Sequence, residues 1–175
     1  LTVTFRMGEE DIRAVDHVSF SLKKGCITGI VGESGSGKSV TALSVMHLLP
    51  SPPAIISAKK MILFDRDGVP VDISSYNNRQ MRHIRGNRVS MIFQEPMTSL
   101  NPVTRCGNQV VEAIRAHQAI SRVDAKKKTL EIFREVLLPR PEEIFFSYPH
   151  ELSGGQKQRV MIAMAMSCDP SVLIA

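Results

Sequence analysis

The chain has 175 residues, of which 43% are hydrophobic and 22% are charged. This composition is typical of a globular domain that is long enough to bury a hydrophobic core. No apolar run approaches the roughly 20 residues that cross a bilayer, and the N-terminus lacks the pattern of a secretory signal peptide. The sequence therefore excludes a membrane-spanning chain and predicts a soluble, cytosolic domain.

Lysine and arginine exceed aspartate and glutamate by 22 to 17, which gives a formal net charge of +5 at pH 7. The excess is concentrated at Arg79, Arg82, Arg85 and Arg88, with His83 among them. A phosphate-bearing partner and a solvated face beside a buried strand both fit this cluster. The solvated face is favoured, because no aromatic residues interleave with the charges as on a base-stacking platform. We expect no nucleic acid partner.

The cysteines are too few and too widely spaced for a structural cross-link. Cys26, Cys106 and Cys168 are odd in number and form no CxxC pair. This spacing disfavours a disulfide framework or a zinc site and predicts reduced thiols.

The N-terminal segment alternates apolar and polar residues, which predicts antiparallel strands over Thr2 to Phe5 and Ala14 to Leu22. Gly8 to Asp11 is polar and predicts a hairpin connection between them. The inward-facing residues of the second strand are expected to be Val15, Val18, Phe20 and Leu22.

A strand, a loop and a helix are predicted to follow. Ile27 to Val31 is nearly continuous in apolar residues, which is typical of a parallel strand covered on both faces. Lys38 to Leu49 is apolar almost all round and predicts a buried helix. Prolines cannot continue a helix, so we expect it to end before Pro50, Pro52 and Pro53.

The loop between them, Gly32-Glu33-Ser34-Gly35-Ser36-Gly37-Lys38-Ser39, matches GxxxxGK[ST] in the strand-to-helix context that this motif requires. Glycines allow a tight loop whose backbone N–H groups surround phosphate oxygens beside the positive helix N-terminus. We expect Lys38 to reach the β- and γ-phosphates and Ser39 to ligate Mg²⁺. The context disfavours a chance glycine-rich turn. The motif alone defines P-loop nucleotidases, which include kinases, GTPases, helicases and transport ATPases.

The rest of the chain predicts two more strands and an inserted helical region. Residues 51 to 80 give no clear pattern. Val89 to Phe93 and Val172 to Ala175 are further apolar runs that predict central strands of an α/β sheet. Between Pro96 and Leu152 the periodicity becomes helical, which indicates a helical subdomain inserted into the sheet domain.

A second motif, Leu152-Ser153-Gly154-Gly155-Gln156, opens a helix predicted to run through Val160 to Met166. Ser153 is a candidate N-cap and Gln156 lies three residues later, which predicts a capping box. Two glycines at the helix start leave its amide groups open to an anion. A well-capped helix without a ligand is the alternative.

The two motifs together resemble those of ABC-type ATPases. The resemblance covers nearly the whole chain and is closest in three blocks, Gly29 to Ser39, Met91 to Pro102 and Tyr148 to Gln156. The second and third blocks are similar to the oligopeptide, dipeptide and nickel importer branch. The resemblance implies an α/β fold of the P-loop ABC type, with a mixed sheet, an antiparallel N-terminal part and an inserted helical subdomain.

The family resemblance also implies roles for individual residues. Gln94 is similar to the glutamine that contacts Mg²⁺ or the attacking water, so Lys38 and Gln94 are the catalytic candidates and Ser39 and Gln94 the metal candidates. Phe5 is similar in position to an aromatic residue that stacks on adenine, with a core-facing phenylalanine as the alternative. Leu137 occupies a position where the family commonly has glycine. The nucleotide-binding candidates are Phe5, Gly32, Glu33, Ser34, Gly35, Ser36, Gly37, Lys38, Ser39, Gln94, Ser153, Gly154, Gly155 and Gln156.

The implied division is an ATP-binding core over residues 1–96, a helical subdomain over 97–167, and the start of the Walker B strand over 168–175. In the family an aspartate and a glutamate needed for catalysis follow that strand. We therefore expect the 175 residues alone to bind nucleotide weakly and to hydrolyse essentially none.

The implied function is that of the ATP-binding and ATP-hydrolysing subunit of an ABC importer for peptides or nickel. The expected cofactors are ATP and Mg²⁺. The expected partners are a second ATP-binding subunit arranged head to tail, as a homodimer or heterodimer, membrane permease subunits, and indirectly an external solute-binding protein. The expected location is peripheral, on the cytoplasmic face of the cell membrane. The alternatives are a non-transport ABC ATPase and a nucleotide-binding fragment without turnover.

Overall fold

The computed structural model describes residues 1–8, 10–64, 68–93 and 100–175. These residues form two compact units, Leu1–Met81 and Arg82–Ala175. The division into 1–96, 97–167 and 168–175 remains a prediction. In the described ranges no helix combines the length and the apolarity that a bilayer crossing requires.

The first unit is built on an antiparallel sheet, as the sequence predicts. Its strands are β1 (Thr2–Met7), β2 (Glu10–Val15) and β3 (Ala54–Ser57), in the order β2-β1-β3. Val3, Val15 and Ala54 are buried, and Val3 pairs with Val15 across the hairpin. The alternation of apolar residues therefore fixes one covered face of this sheet.

The predicted strand over Ala14 to Leu22 is wrong beyond Val15. His17 has a φ of 50°, in the left-handed region, and this interrupts the extended backbone. The Leu1 ammonium donates to the Val18 carbonyl at 2.7 Å, so the chain turns back toward the start of β1. Three of the four residues expected to face inward are exposed instead: Val18, Phe20 and Leu22.

The predicted central strand over Ile27 to Val31 is also wrong. These residues have no strand assignment, and Ile27 and Val31 are almost fully exposed. Strand conformation is stabilised by backbone hydrogen bonds to a neighbouring strand. No such ladder to residues 27–31 occurs among the described residues, so their apolar character alone does not make them a strand.

Helix α1 (Lys38–Val45) starts where predicted but ends earlier. His47 has a φ of 49°, and the Leu48 N–H donates to the Leu43 carbonyl at 2.9 Å. This left-handed closure ends the helix before the prolines are reached. The segment that gave no clear pattern contains β4 (Ile62–Phe64) and β5 (Pro70–Asp72), which pairs antiparallel with β4, and helix α2 (Asn78–Ile84) begins at its end.

The second unit combines two parallel strands with a helical cluster. Strands β6 (Val89–Met91) and β7 (Val172–Ile174) pair in parallel, which confirms two of the three predicted central strands. The Ile92 N–H continues the ladder to the Ile174 carbonyl at 2.8 Å. The helices are α3 (Cys106–His117), α4 (Arg122–Glu135), α5 (Pro141–Phe146) and α6 (Gly154–Met166), with a 3-10 turn at Pro149–Glu151.

The helices share one hydrophobic core, in which Val110, Ile114, Phe133 and Val160 are fully buried. Helix α3 approaches α5 closely at Gly107, where an added Cβ would lie 2.2 Å from the Phe145 ring. The cysteines form no disulfide: Cys26 is exposed, and Cys106 and Cys168 are buried.

Candidate functional site

The phosphate-loop motif lies on a tight turn packed against the first sheet. Gly35 and Gly37 have φ values of 83° and 87°, which residues with a Cβ adopt only with strain. An added Cβ at Gly37 would lie 2.5 Å from the Ala14 carbonyl oxygen, and one at Gly32 would lie 2.6 Å from Ser36 Oγ. The glycines therefore allow the loop to close and allow the start of α1 to lie against the end of β2.

The Lys38 side chain folds back into this loop. Its ammonium donates to the Gly32 carbonyl at 2.8 Å, to the Glu33 carbonyl at 2.6 Å and to Ser36 Oγ at 3.3 Å. The charged group is thus held by loop oxygens directly beside the start of α1. An anion that entered the loop would meet this charge immediately.

The N-terminus of α1 carries no competing negative charge. Gly37 is its N-cap, with no side-chain capping hydrogen bond, and its first turn contains no acidic residue. Unsatisfied N–H groups and the helix dipole favour an anion at such an end. Ser39 is exposed on this turn, and its hydroxyl is an oxygen donor of the kind that Mg²⁺ accepts. These residues fit a phosphate with its magnesium ion.

The capping box predicted for the second motif is confirmed. The Gln156 N–H donates to Ser153 Oγ at 3.3 Å, and the Ser153 N–H donates to Gln156 Oε1 at 2.8 Å. Gly154 and Gly155 are exposed, with no atom within 4 Å of an added Cβ, and the first turn of α6 has no acidic residue. The start of α6 is therefore open to a second anion contact.

The segment that leads into this motif is held by contacts that the sequence analysis did not identify. Glu151 Oε2 accepts from the Tyr148 N–H at 2.6 Å, and the Glu151 N–H donates to the Tyr148 carbonyl at 3.0 Å, so the 3-10 turn is closed at both backbone groups of Tyr148. A glutamate three residues after a turn start was the available sequence indication. The guanidinium of Arg105 lies over the rings of Phe146 and Tyr148, a contact with no local sequence pattern.

The two remaining candidates are Phe5 and Gln94. Phe5 lies in β1, pairs with Ile12 and Ala54, and is half-buried on the face that it shares with Val3. Its role in adenine stacking therefore remains a prediction. Gln94 lies outside the described residues. The loop residues belong to the unit Leu1–Met81, and Ser153 to Gln156 belong to Arg82–Ala175.

Comparison with protein families gives a match over most of the chain. Residues 15–175 match the family model described as ABC transporter. Glutathione import ATP-binding protein GsiA of Escherichia coli (strain K12) is 50% identical over 175 residues, which is 100% of this chain and 28% of that protein. The protein of the same name from Shigella boydii serotype 4 (strain Sb227) is 49% identical over the same shares. The chain thus spans less than a third of the length of these relatives.

Two solved structures of one bacterial protein resemble the fold. The dimeric ABC transporter cassette MJ0796 has a TM-score of 0.78 and 27% sequence identity, over 98% of this chain and 69% of that one. The same cassette in a post-hydrolysis state bound to ADP and Pi has a TM-score of 0.76, with the same identity and coverage. Both likenesses extend over nearly every residue of the chain.

Proposed function

This chain belongs to the ABC transporter family, and on that premise we propose that it is part of the ATP-binding and ATP-hydrolysing subunit of an importer for small peptides. The observation that carries the proposal is Lys38, whose ammonium is held inside a glycine loop at the uncapped start of α1. The curated relatives support import, since they are named for glutathione, itself a small peptide. The ADP and Pi of the similar cassette support a nucleotide ligand.

In this proposal the loop binds the phosphates of ATP. Lys38 exchanges its contacts with loop carbonyls for charge-assisted contacts with phosphate oxygens, which are stronger. The N–H groups at the start of α1 complement the remaining negative charge. Ser39 and Gln94 hold the magnesium ion, and Phe5 stacks on the base. When bound, MgATP supplies the γ-phosphoryl group that is transferred to water.

Ser153, Gly154, Gly155 and Gln156 act on the nucleotide of a second ATP-binding subunit arranged head to tail. The dimeric state of the similar cassette supports this arrangement, and the open start of α6 supports an anion contact there. Backbone N–H groups fixed at a helix start stabilise developing charge without having to reorganise. The second subunit is a copy of this protein or a related chain.

The remaining partners follow from the importer proposal. Permease subunits carry the solute across the membrane, and an external binding protein delivers it, so the ATP-binding subunit lies peripherally on the cytoplasmic face. The names of the relatives favour a peptide over nickel as the solute. Uptake of labelled glutathione and of labelled nickel by cells with and without the gene separates the two solutes.

Substitution of Lys38 tests nucleotide binding directly. We expect Lys38→Ala to weaken the binding of MgATP by about tenfold to a hundredfold, because a charge-assisted contact with the phosphates is lost. Titration with a fluorescent ATP analogue, followed by displacement with MgATP, measures the affinity. Lys24→Ala changes another exposed segment in the same way and serves as the control. Equal affinities of the Lys38 and Lys24 variants would contradict the proposal.

A charge at Gly155 tests the action in trans. Gly155→Asp places a carboxylate where the proposal puts the partner's γ-phosphate, so the MgATP-dependent dimer is lost while the single chain still binds ATP. Gly155→Asn has a similar size without the charge and retains the dimer to a greater extent. Sedimentation velocity with and without MgATP measures the dimer, and equal loss of ATP binding by the single chain argues against a role in trans.

A further inference from the structure

A cluster of cationic and aromatic side chains lies just before the α6 motif, and we propose that Arg105 in this cluster is a positioning residue for Ser153 and the glycines that follow it. We call the cluster formed by Arg105, Lys126, Phe146 and Tyr148 the aromatic brace. The inference rests on the proposed function, since it assigns a support to the turn that contacts the partner's nucleotide.

Arg105 joins the start of α3 to the chain that approaches α6. Its guanidinium carbon lies 5.7 Å from the centroid of the Phe146 ring and 5.8 Å from that of Tyr148. Both distances are within the range in which a cation is attracted to a ring face. The next residue of the chain adds a backbone link, because the Cys106 N–H donates to the Ser147 carbonyl at 2.9 Å. The segment 146–148 is thus fastened to α3 at three successive residues.

Lys126 extends the aromatic brace to a third helix. Its ammonium, on α4, lies 4.9 Å from the centroid of the Phe146 ring and 5.2 Å from that of Phe145. Phe146 therefore lies within reach of two cations from different helices, although about half of its surface remains exposed. An exposed phenylalanine with two cationic neighbours is held by specific contacts, and burial alone does not account for its position.

The loop that carries Arg105 is itself fixed by a buried amide. Gln109 is 8% exposed, and its Nε2 donates to the Asn101 carbonyl at 3.0 Å and to the Thr104 carbonyl at 2.8 Å. Its Oε1 accepts from the Asn101 N–H at 2.9 Å. These three hydrogen bonds are thus made to the backbone just before Arg105. The Arg105 guanidinium therefore extends from a loop whose backbone is held in place, so its contacts can restrict the positions of Phe146 and Tyr148.

The constraint continues from Tyr148 to the motif through short-range contacts. The Tyr148 ring stacks on His150 with centroids 5.6 Å apart, and the Glu151 carboxylate closes the turn on the Tyr148 N–H. Leu152 then enters the hydrophobic core, and Ser153 begins α6. Leu152 therefore anchors the motif to the hydrophobic core. The aromatic brace fixes the direction from which the chain reaches Ser153.

Such a support matters because glycines lose more conformational freedom on ordering than other residues. The α6 motif places Gly154 and Gly155 at the first positions of a helix, exposed and without side-chain contacts. Their N–H groups can face a partner's phosphate only if the preceding residue is already oriented. Removing Arg105 is therefore expected to loosen the motif while the phosphate loop, which belongs to the other unit, keeps its ATP affinity.

Amide hydrogen exchange, measured on the chain in the absence of nucleotide, tests whether the aromatic brace orders the start of α6. Each cation–ring contact at an exposed site corresponds to about a twofold to fivefold change in an equilibrium. We expect Arg105→Met to accelerate exchange at Glu151, Leu152 and Gln156 by about fivefold, and Arg105→Lys to have a smaller effect because it keeps the charge. Phe146→Leu removes the ring from the other side and gives the same pattern. Arg122→Met, at an exposed arginine on α4, is the matched control and leaves these amides unchanged.

The nucleotide experiments then separate positioning from general destabilisation. For Arg105→Met we expect unchanged ATP affinity of the single chain and a MgATP-dependent dimer weakened by about fivefold, with partial rescue by Arg105→Lys. Unchanged exchange at Glu151 to Gln156 in both Arg105→Met and Phe146→Leu overturns the inference. Loss of ATP affinity in step with the dimer overturns it as well. A dimer that forms without MgATP, or ATP binding that does not depend on Lys38, contradicts the proposed function instead. In that case the hydrogen-exchange result still shows whether the aromatic brace orders the start of α6.

Discussion

The backbone at Gly37 lies so close to the carbonyl oxygen of Ala14 that an added Cβ would be 2.5 Å from it. This contact seats the start of α1 on the end of β2, and it leaves no room for a side chain. The position of Gly37 in the phosphate loop thus depends on Ala14 of β2, which precedes it by more than twenty residues in the chain.

Alanine at Gly37 and at Gly35 separates this contact from backbone strain. Both glycines have a left-handed φ, which costs a residue with a Cβ about 1–2 kcal/mol, but only Gly37 faces a neighbouring atom. We expect Gly37→Ala to lower the free energy of unfolding by clearly more than Gly35→Ala, and to weaken ATP binding further. Urea unfolding of the two variants measures the difference. Equal losses would mean that α1 shifts to accept the side chain at little cost.

The capping box of α6 gives a second comparison, between two serines with the same structural role. Ser153 caps α6 and Ser121 caps α4, where its Oγ accepts from the Asp124 N–H at 3.1 Å. Replacing either serine with alanine is expected to cost about 1 kcal/mol of stability. Only Ser153→Ala should also weaken the MgATP-dependent dimer. If Ser121→Ala weakens the dimer equally, the effect of Ser153 is one of stability alone.

Leu137 occupies a position at which glycine is expected to be more stable. It follows α4 with a φ of 57°, the Leu137 N–H donates to the Arg134 carbonyl at 2.9 Å, and the Leu138 N–H donates to the Phe133 carbonyl at 2.9 Å. This is a Schellman closure, in which glycine is the preferred left-handed residue. Because the Leu137 side chain is mostly exposed, Leu137→Gly should raise the free energy of unfolding by about 0.5–1 kcal/mol. Leu137→Ala keeps the Cβ and should give no such gain in a thermal melt.

Cys106 is expected to make stability fall at alkaline pH. Burial raises the pKa of its thiol from 9.0 to about 11. Below pH 9 the thiol is protonated in the folded and unfolded chains alike, and its contribution to stability is complete. Between pH 9 and 11 the unfolded chain loses this proton while the folded chain keeps it, so about 2–3 kcal/mol of stability is lost as the pH rises.

Urea unfolding across this range, with Cys106→Ala as the reference, isolates the effect from the titration of lysines and tyrosines. The difference in unfolding free energy between the two chains should change between pH 9 and 11 and be constant below pH 9. A constant difference throughout would show that the thiol titrates normally.

Local contacts are the part of this structure that the sequence predicts well. The capping box joins Ser153 to Gln156, three residues apart, and its pattern is visible in the letters alone. The phosphate loop is a similar case, since its glycines and Lys38 lie within eight consecutive residues. The hairpin of β1 and β2 follows from alternation over a short stretch, although β2 begins earlier and ends earlier than predicted.

Contacts between distant segments could not be predicted in the same way. The apolar run from Ile27 to Val31 forms a strand only if a neighbouring strand is present to accept and donate its backbone hydrogen bonds. The sequence of the run does not show whether such a neighbour exists. Arg105 reaches Phe146 and Tyr148 from about forty residues away in the chain, so no periodicity indicates the contact. The left-handed backbone of His17 could not be predicted either, because the position carries no glycine, the residue that most often marks such a conformation.

The differing surroundings of the three cysteines make the chain selectively reactive toward thiol reagents. Cys106 and Cys168 are almost fully buried, and the raised pKa of Cys106 keeps its thiol protonated at neutral pH, where the thiolate is the reactive form. Cys26 is exposed and precedes Gly32 by six residues. A maleimide dye added at neutral pH therefore attaches at one place on the native chain, beside the phosphate loop. Because the chain contains no tryptophan, a single introduced tryptophan is the sole indole, and the distance between it and the dye can be measured by energy transfer.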